Sequence, residues 1–457
     1  MYRAVACLAL VVAAIVAVDE NVRRSFGPAA SAARAQEVAV EVPLPVVDDR
    51  LATEEAFAGG APAIGEAPAS EQVLAGSEPR LGDIPQPPPI EPPTQEAIEE
   101  AIRRGVAYLL ADQGREGWWG SPHRTKGLNI YAPVPGSHQA FRAAVTAMCI
   151  SALIETGDDS AEVAAALDRG ENWLLEHLPR VRRATPDALY NVWTHGYAID
   201  ALARMHRRHA GNPERQAECI AQIEAQLDRL VRYESVDGGW GYYDFNTRTQ
   251  RPGASSTSFV TAAILVALDE ARGLDMRLPE KVLERAVASI ERQMKPDFSY
   301  LYGEYLKWYP MMGINRPGGS LGRSQACNIA LRRYGDERIT DEVLRAWLDR
   351  LCARNGWLSI GRKRPIPHES WFQVAGYFYY FGHYYAALCV EELPAADQRY
   401  YQDYLAYLLL PLQERDGSWW DYPFYNYHQQ YGTAFALMTL ARCRHTAPQI
   451  SAASGGE

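Results

Sequence analysis

The folded part of this 457-residue chain has no excess charge of either sign. The formal net charge is −10, but residues 36–100 hold fourteen Asp or Glu against two Arg, and residues 1–35 are slightly positive, which leaves residues 101–457 at zero. A surface that binds a phosphate backbone needs clustered Lys and Arg, so nucleic acid is excluded as a partner. Paired cysteine spacings are also missing. Cys7 lies in an N-terminal apolar run, and Cys149, Cys219, Cys327, Cys352, Cys389 and Cys443 are scattered singly, several in Ala-rich runs such as "AVTAMCISAL". There a cysteine acts as a small buried hydrophobe. Neither a disulfide framework nor a metal site is expected, and no cofactor motif is present. The apolar run itself, Ala4–Val18, is fifteen residues, against roughly 20 for a bilayer span.

That short run behind Arg3 has the layout of an export signal, with "ARAQ" at 33–36 as a cleavage site or, uncleaved, as part of a membrane tether. Either reading puts the body outside the cytoplasm, periplasmic or secreted. From Gln36 the composition turns to Pro, Ala, Glu and Gly, with "QPPPIEPP" at 86–93. Such a segment buries too little apolar surface to offset its ordering entropy and is expected to be a disordered linker.

With 47% hydrophobic and 11% aromatic residues, the rest of the chain buries a large core. Its pattern is periodic. "DQGREGWW" at 112–119 returns as "DGGWGYYDF" at 237–245 and "DGSWW" at 416–420, with weaker copies at His177, Asp297 and Asn355. Six markers at intervals of about sixty residues are a repeat. Each unit pairs an amphipathic segment, such as "EKVLERAVASIERQM" at 280–294, with an Ala/Leu/Ser/Thr-rich one, such as "SSTSFVTAAILVALDEA" at 255–271 or "YGTAFALMTLARC" at 431–443. The first carries charge on one face and belongs outside; the second carries little and belongs inside. Both ends of the array keep the complete loop and lack a polar capping repeat, so the six hairpins should close into a ring. The expected fold is all-α, an (α/α)6 toroid with inner and outer helix rings. The expected limits are 1–35 for the signal or anchor, 36–95 for the linker, 96–446 for the toroid and 447–457 for a disordered tail.

Gln113, Gly117 and Trp119 in "RGVAYLLADQGREGWW", Gln413, Gly417 and Trp419 in "YLLLPLQERDGSWW", and Trp240 in "DGGWGYYD" resemble the QW motif of squalene and hopene cyclases. Protein prenyltransferase β subunits and prenyltransferase/squalene oxidase repeat proteins share that repeat type. The resemblance covers roughly residues 96–446 and implies the toroid fold. Physically, the motif reads as structural: a glutamine amide satisfying orphan N–H groups at a helix N-terminus, with a tryptophan face excluding water from it.

The chemistry that the resemblance implies lacks its residues here. The cyclases' Asp-x-Asp-Asp acid is absent, and "GDDSAE" at 157–162 reads as a helix N-cap. No body cysteine stands in the Asp-x-Cys pair of the prenyltransferase zinc site, and "HRRH" at 206–209 reads as a cationic helix end. The complement-type thioester run is missing too.

What remains are polar and aromatic residues near the starts of inner helices. His195, Asp200, His368 and Glu369 are the candidate acid/base groups, and Trp193, Trp371, Tyr427, His428 and Tyr431 the candidate ligand-binding wall. Taken singly, each also reads as a cap or a satisfied core residue. "GYFYYFGHYYAAL" at 376–388 is the densest aromatic stretch, and reads as cavity wall or as core. Three functions fit: recognition of an apolar or extended ligand, isoprenoid-like by resemblance; a cyclase with an unfamiliar acid at Asp200 or Glu369; or a glycan-active (α/α)6 hydrolase or lyase with cavity carboxylates.

Overall fold

A computed structural model describes residues 80–127, 134–244, 249–253, 256–368 and 373–444. The expected signal or anchor, most of the expected linker and the expected C-terminal tail lie outside the described residues, as do Glu369 and Trp371.

The described chain is helical throughout, with four isolated β-bridges and no strand. Six helices form the outer layer: α1 (Gln95–Asp112), α3 (Ala161–His177), α5 (Pro213–Tyr233), α7 (Glu280–Gln293), α9 (Asp341–Ala353) and α12 (Ala395–Leu409). Each follows an amphipathic pattern, and of the stripe expected in α7 from sequence Val282, Leu283, Ala286 and Ile290 are buried and Val287 is half-buried. Several start on a side-chain cap. Thr94 accepts from Ala97 N–H, Ser160 from Val163 N–H and Asn212 from Arg215 N–H. "GDDSAE" is therefore a cap in fact.

Six more helices form the inner layer: α2 (Pro135–Thr156), α4 (Asn191–Arg208), α6 (Ser258–Arg272), α8 (Pro317–Arg333), α11 (Phe378–Glu391) and α13 (His428–Arg442). A single-turn-and-a-half helix, α10 (Asn355–Ser359), links α9 to the loop before α11. The inner helices pack in sequence, α2 on α4, α4 on α6, α6 on α8, α8 on α11, α11 on α13, and α13 back on α2. This is the closed double ring. Closure is covalent chemistry's absence made good by many bonds: Arg444 donates to Glu99 and to the Thr156 carbonyl, and Gln430 Nε2 donates to Asp112 Oδ2 at 2.7 Å.

The recurring loop is the joint between neighbouring hairpins. Trp119 is fully buried; its indole N–H donates to the Leu109 carbonyl at 2.8 Å, in the last turn of α1, and its backbone N–H donates to Thr146 Oγ1 of α2 at 3.0 Å. Trp419 repeats this with Leu409 and Thr433, and Trp240 with Leu230 and Thr261. Gln113 Nε2 then reaches the next outer helix, donating to the Ala166 carbonyl of α3 at 2.8 Å and to Gly117 O at 3.0 Å. Gln413 does the same to Ala101 of α1, across the ring closure. The expected role of the glutamine is thus corrected. The loop leaves the C-terminal end of an outer helix, where the orphan groups are carbonyls, and it is the tryptophan indole that serves one of them, whereas the glutamine amide donates to a carbonyl of its own loop and to one of the next outer helix.

A second correction concerns the linker's end. Residues 80–94 lie extended against the body: Arg80 N–H donates to the Pro296 carbonyl at 3.0 Å, Arg350 donates to the Leu81 carbonyl, and Tyr404 Oη to the Pro88 carbonyl at 2.7 Å. Leu81 and Ile90 pack on the core. Prolines withhold donors but keep their carbonyls, so beyond Arg80 the strap is bonded through its carbonyls to Arg350 and Tyr404 of the outer helices.

Candidate functional site

The loops that run from outer to inner helices all open on one end of the ring, and there the inner helices splay around a cavity of about 710 Å³. Part of its wall follows a simple register. In two of the joints the residue two after the buried aromatic lines the cavity: Trp240 is followed by Tyr242, and Tyr300, which fills the tryptophan position of the weak fourth copy, is followed by Tyr302. The first turns of the inner helices add Phe141, Trp193, Phe259, Phe378 and Phe381. Sixteen of the twenty-five described lining residues are Phe, Tyr or Trp, and no Asp, Glu, Lys or Arg is among those described. Among the described residues this wall offers ring faces and edges, with side-chain polarity confined to phenols, His368 and Gln373.

The phenols are tied together. Tyr242 Oη bonds Tyr302 Oη; Tyr302 Oη lies 3.0 Å from Tyr377 Oη, and Tyr377 Oη 3.1 Å from His368 Nε2. His368 Nδ1 is 2.5 Å from the Gln373 carbonyl. Burial, and then the positive Arg323 nearby, push the imidazole down to about 4, so it is neutral at physiological pH. Across the cavity Tyr190 and Tyr243 bond at 2.6 Å.

Two charged groups stand behind the wall. Arg323 is fully buried, and its guanidinium donates only to backbone carbonyls, those of Gly319, Tyr300 and Ile314. It fixes the segment 300–314 that supplies Tyr302, Tyr305, Leu306, Met312 and Ile314 to the wall. The same segment projects Trp308 and Met311 outward, 78% and 68% exposed. Asp421, also fully buried, accepts from Tyr431 Oη at 2.7 Å and from Tyr380 N–H at 3.1 Å. Burial outweighs those bonds and pushes its carboxyl up to about 6.

The sequence candidates divide. Trp193, His368 and Tyr431 line the cavity together. Tyr427 sits one layer out, bonded to His138 and packed on Phe141 and Phe424. His428 faces Trp420 edge-on and bonds the Tyr425 carbonyl at 2.6 Å. His195 is fully buried between Gln226 Oε1 at 2.8 Å and Asn191, stacked on Tyr233, and burial pushes it down to about 3. These three belong to packing.

Asp200 lies deeper, at a void of about 10 Å³ below the cavity, paired with Arg204. Arg204 also bonds Glu155 at 2.5 Å, and Glu155 bonds Arg442, so a cluster of buried ion pairs closes the far end of the ring. Burial pushes Asp200 up and Arg204 offsets part of it; Glu155 is held below the usual carboxylate range by Arg204 and Arg442 in spite of its burial. "HRRH" is likewise structural at its end, with His209 and Arg208 both on the buried Glu171. Tyr377 lies in the aromatic stretch 376–388 singled out from the sequence, whereas Tyr242, Tyr302 and Asp421 escaped that reading. Their signal was an offset of two, from Trp240, Tyr300 and Trp419 respectively.

No known family profile matches the chain, and no protein of curated function is similar to it in sequence. Among solved structures, a type II terpene cyclase from Scytonema is 16% identical with a TM-score of 0.44, covering 77% of this chain and 99% of its own. An α-1,6-mannanase from Salegentibacter is 10% identical with a TM-score of 0.46 (76% and 98% covered), and a D-mannose isomerase 13% identical with a TM-score of 0.48 (77% and 96%).

Proposed function

We propose that the chain is a toroid of the squalene cyclase and prenyltransferase repeat type, exported by its N-terminal apolar run, whose cavity binds an apolar, isoprenoid-like ligand. One observation carries the reading: a 710 Å³ chamber with sixteen aromatic lining residues and no ionised group among the described ones. Such a wall recovers apolar burial energy and solvates charge poorly. The QW-type joints support the family assignment. The glycan-active alternative draws no support from the described wall, since cleavage of a glycoside needs two carboxyls flanking the bond. Organic extraction of the purified full chain and mass spectrometry of the extract test the proposal. A lipid or terpenoid at near-stoichiometric amount is expected; recovery of only sugars would overturn it.

A second reading, a cyclase with a non-standard acid, is favoured by Asp421. A carboxyl held near 6 is part-protonated at neutral pH, and Tyr431 joins it to the cavity. In that reading Asp421→Asn abolishes conversion of a polyene such as squalene while leaving its binding measurable; turnover that survives the substitution removes Asp421 from consideration.

A further inference from the structure

The rim of the cavity says where its ligand is exchanged, an inference that rests on the apolar-ligand reading above. Five of the eleven large hydrophobic side chains that stand exposed among the described residues fall within one short segment: Tyr305, Trp308, Tyr309, Met311 and Met312. The same segment supplies Tyr305, Leu306 and Met312 to the wall, so the exposed patch is continuous with the chamber. Beside it Ile366 is exposed while its neighbour Pro367 lines the wall. The two segments meet where the His368 ring packs edge-on against Tyr302, 5.3 Å between centroids.

These side chains are held outward by a fixed loop. Asn315 Nδ2 donates to the Tyr309 carbonyl and Arg316 Nε to the Met311 carbonyl, each at 3.0 Å, and Lys295 Nζ bonds the Asn315 carbonyl at 2.8 Å. Holding Trp308 and Met311 in water forgoes apolar burial, which a binding surface recovers on contact. Charge indicates what that contact is. Residues 305–316 and 357–367 hold five Lys or Arg and no Asp or Glu, in a body of zero net charge. Lys363 is paired with Glu414, and Lys307 lies over the Trp308 ring, 5.6 Å from its centroid. Rings and thioethers among basic residues suit the boundary of an anionic bilayer, where aromatic side chains settle at headgroup level and cations meet the phosphates. A bilayer is also the phase in which an apolar ligand collects. We propose that segment 305–312 docks on an anionic lipid surface, so that the ligand passes between bilayer and chamber without crossing water.

The test is tryptophan fluorescence of the full chain with vesicles whose acyl chains carry bromine, a short-range quencher, made of phosphatidylcholine with or without phosphatidylglycerol. No tryptophan precedes Trp118, and Trp308 is the most exposed of the described ones, so the N-terminal apolar run cannot itself supply the signal. Anionic vesicles are expected to quench the unaltered chain, and Trp308→Phe to lose most of that quenching. Met311→Ser should weaken vesicle binding roughly tenfold. Lys307→Gln should weaken it roughly fivefold on anionic vesicles and little on neutral ones. All three side chains are exposed, and circular dichroism checks that the fold is retained. Quenching that is absent, equal on both kinds of vesicle, or unchanged in Trp308→Phe overturns the proposal. A dimer that Met311→Ser dissociates, with no quenching, overturns it in favour of a contact between two copies. Lipid in the organic extract without quenching sinks this inference alone, whereas quenching with no lipid in the extract removes the apolar-ligand reading and the transfer with it.

Discussion

Asp421 shows what one buried carboxyl does to the whole chain. Folded, it keeps its proton up to about pH 6; unfolded, it releases it near 3.8. Between those values the native state binds more protons, so stability falls as pH rises through the window, by about 3 kcal/mol in all. Urea unfolding at stepped pH is expected to show this loss in the unaltered protein and a flatter profile in Asp421→Asn. The buried histidines act in the other direction. His368 and His383 are each pushed from 6.5 down to about 4 by burial, so unfolding takes up protons as acidity increases. Stability from each is complete above pH 6.5 and is lost as pH falls toward 4, roughly 3 kcal/mol apiece. His383→Gln should therefore blunt the acid limb of the same titration, and an unchanged limb would count against it. None of these roles was legible in the sequence, because burial sets them and burial depends on which helices meet.

At the scale of the element, the joint is the feature that sequence gave away most fully and explained least. Its spacing follows from geometry. Gly117 adopts φ +104° with its Cα against the Arg169 carbonyl, and Gly417 adopts φ +91° against that of Arg104, positions where a Cβ has no room. The tryptophan then lies over a glycine of the next outer helix, Gly170 under Trp119 and Gly105 under Trp419. Trp119→Phe removes the bond to Leu109 and leaves a void, at a cost of about 2–4 kcal/mol. Gly170→Ala places a methyl 2.8 Å from the Trp119 ring, at about 1–3 kcal/mol. A double-mutant cycle in guanidinium should find the two coupled; additivity would mean that they do not act through one contact. What escaped the sequence was the donor logic, since the glutamine's acceptor lies on the next outer helix, remote in sequence, and no local pattern names it. Glu234 illustrates the point: it stands at the glutamine position of the third copy and meets Arg285 and Arg251 in place of a carbonyl.

For the whole molecule, closure is the decisive fact. Gln413, Gly417 and Trp419 make with α1 the contacts that Gln113, Gly117 and Trp119 make with α3. Trp419→Phe should accordingly destabilise the chain as much as Trp119→Phe, within about 1 kcal/mol; in an open array the terminal joint would be nearly silent in the same melt. By itself the sequence determined the hairpin count, the inner and outer assignment and the ring, because period, amphipathicity and matching ends are one-dimensional properties that local physics turns into helices. Only the tertiary structure decided which residues face the chamber. Trp193 and Asp200 share α4, yet one lines the cavity and the other lies among the ion pairs that close its far end. Tyr242, Tyr302 and Tyr377 come from different repeats and become one relay only where the ring brings their hydroxyls within bonding distance. The chamber's polarity arises from that convergence, since hydrogen bonds are set by position to within ångströms and a linear pattern fixes position only along the chain.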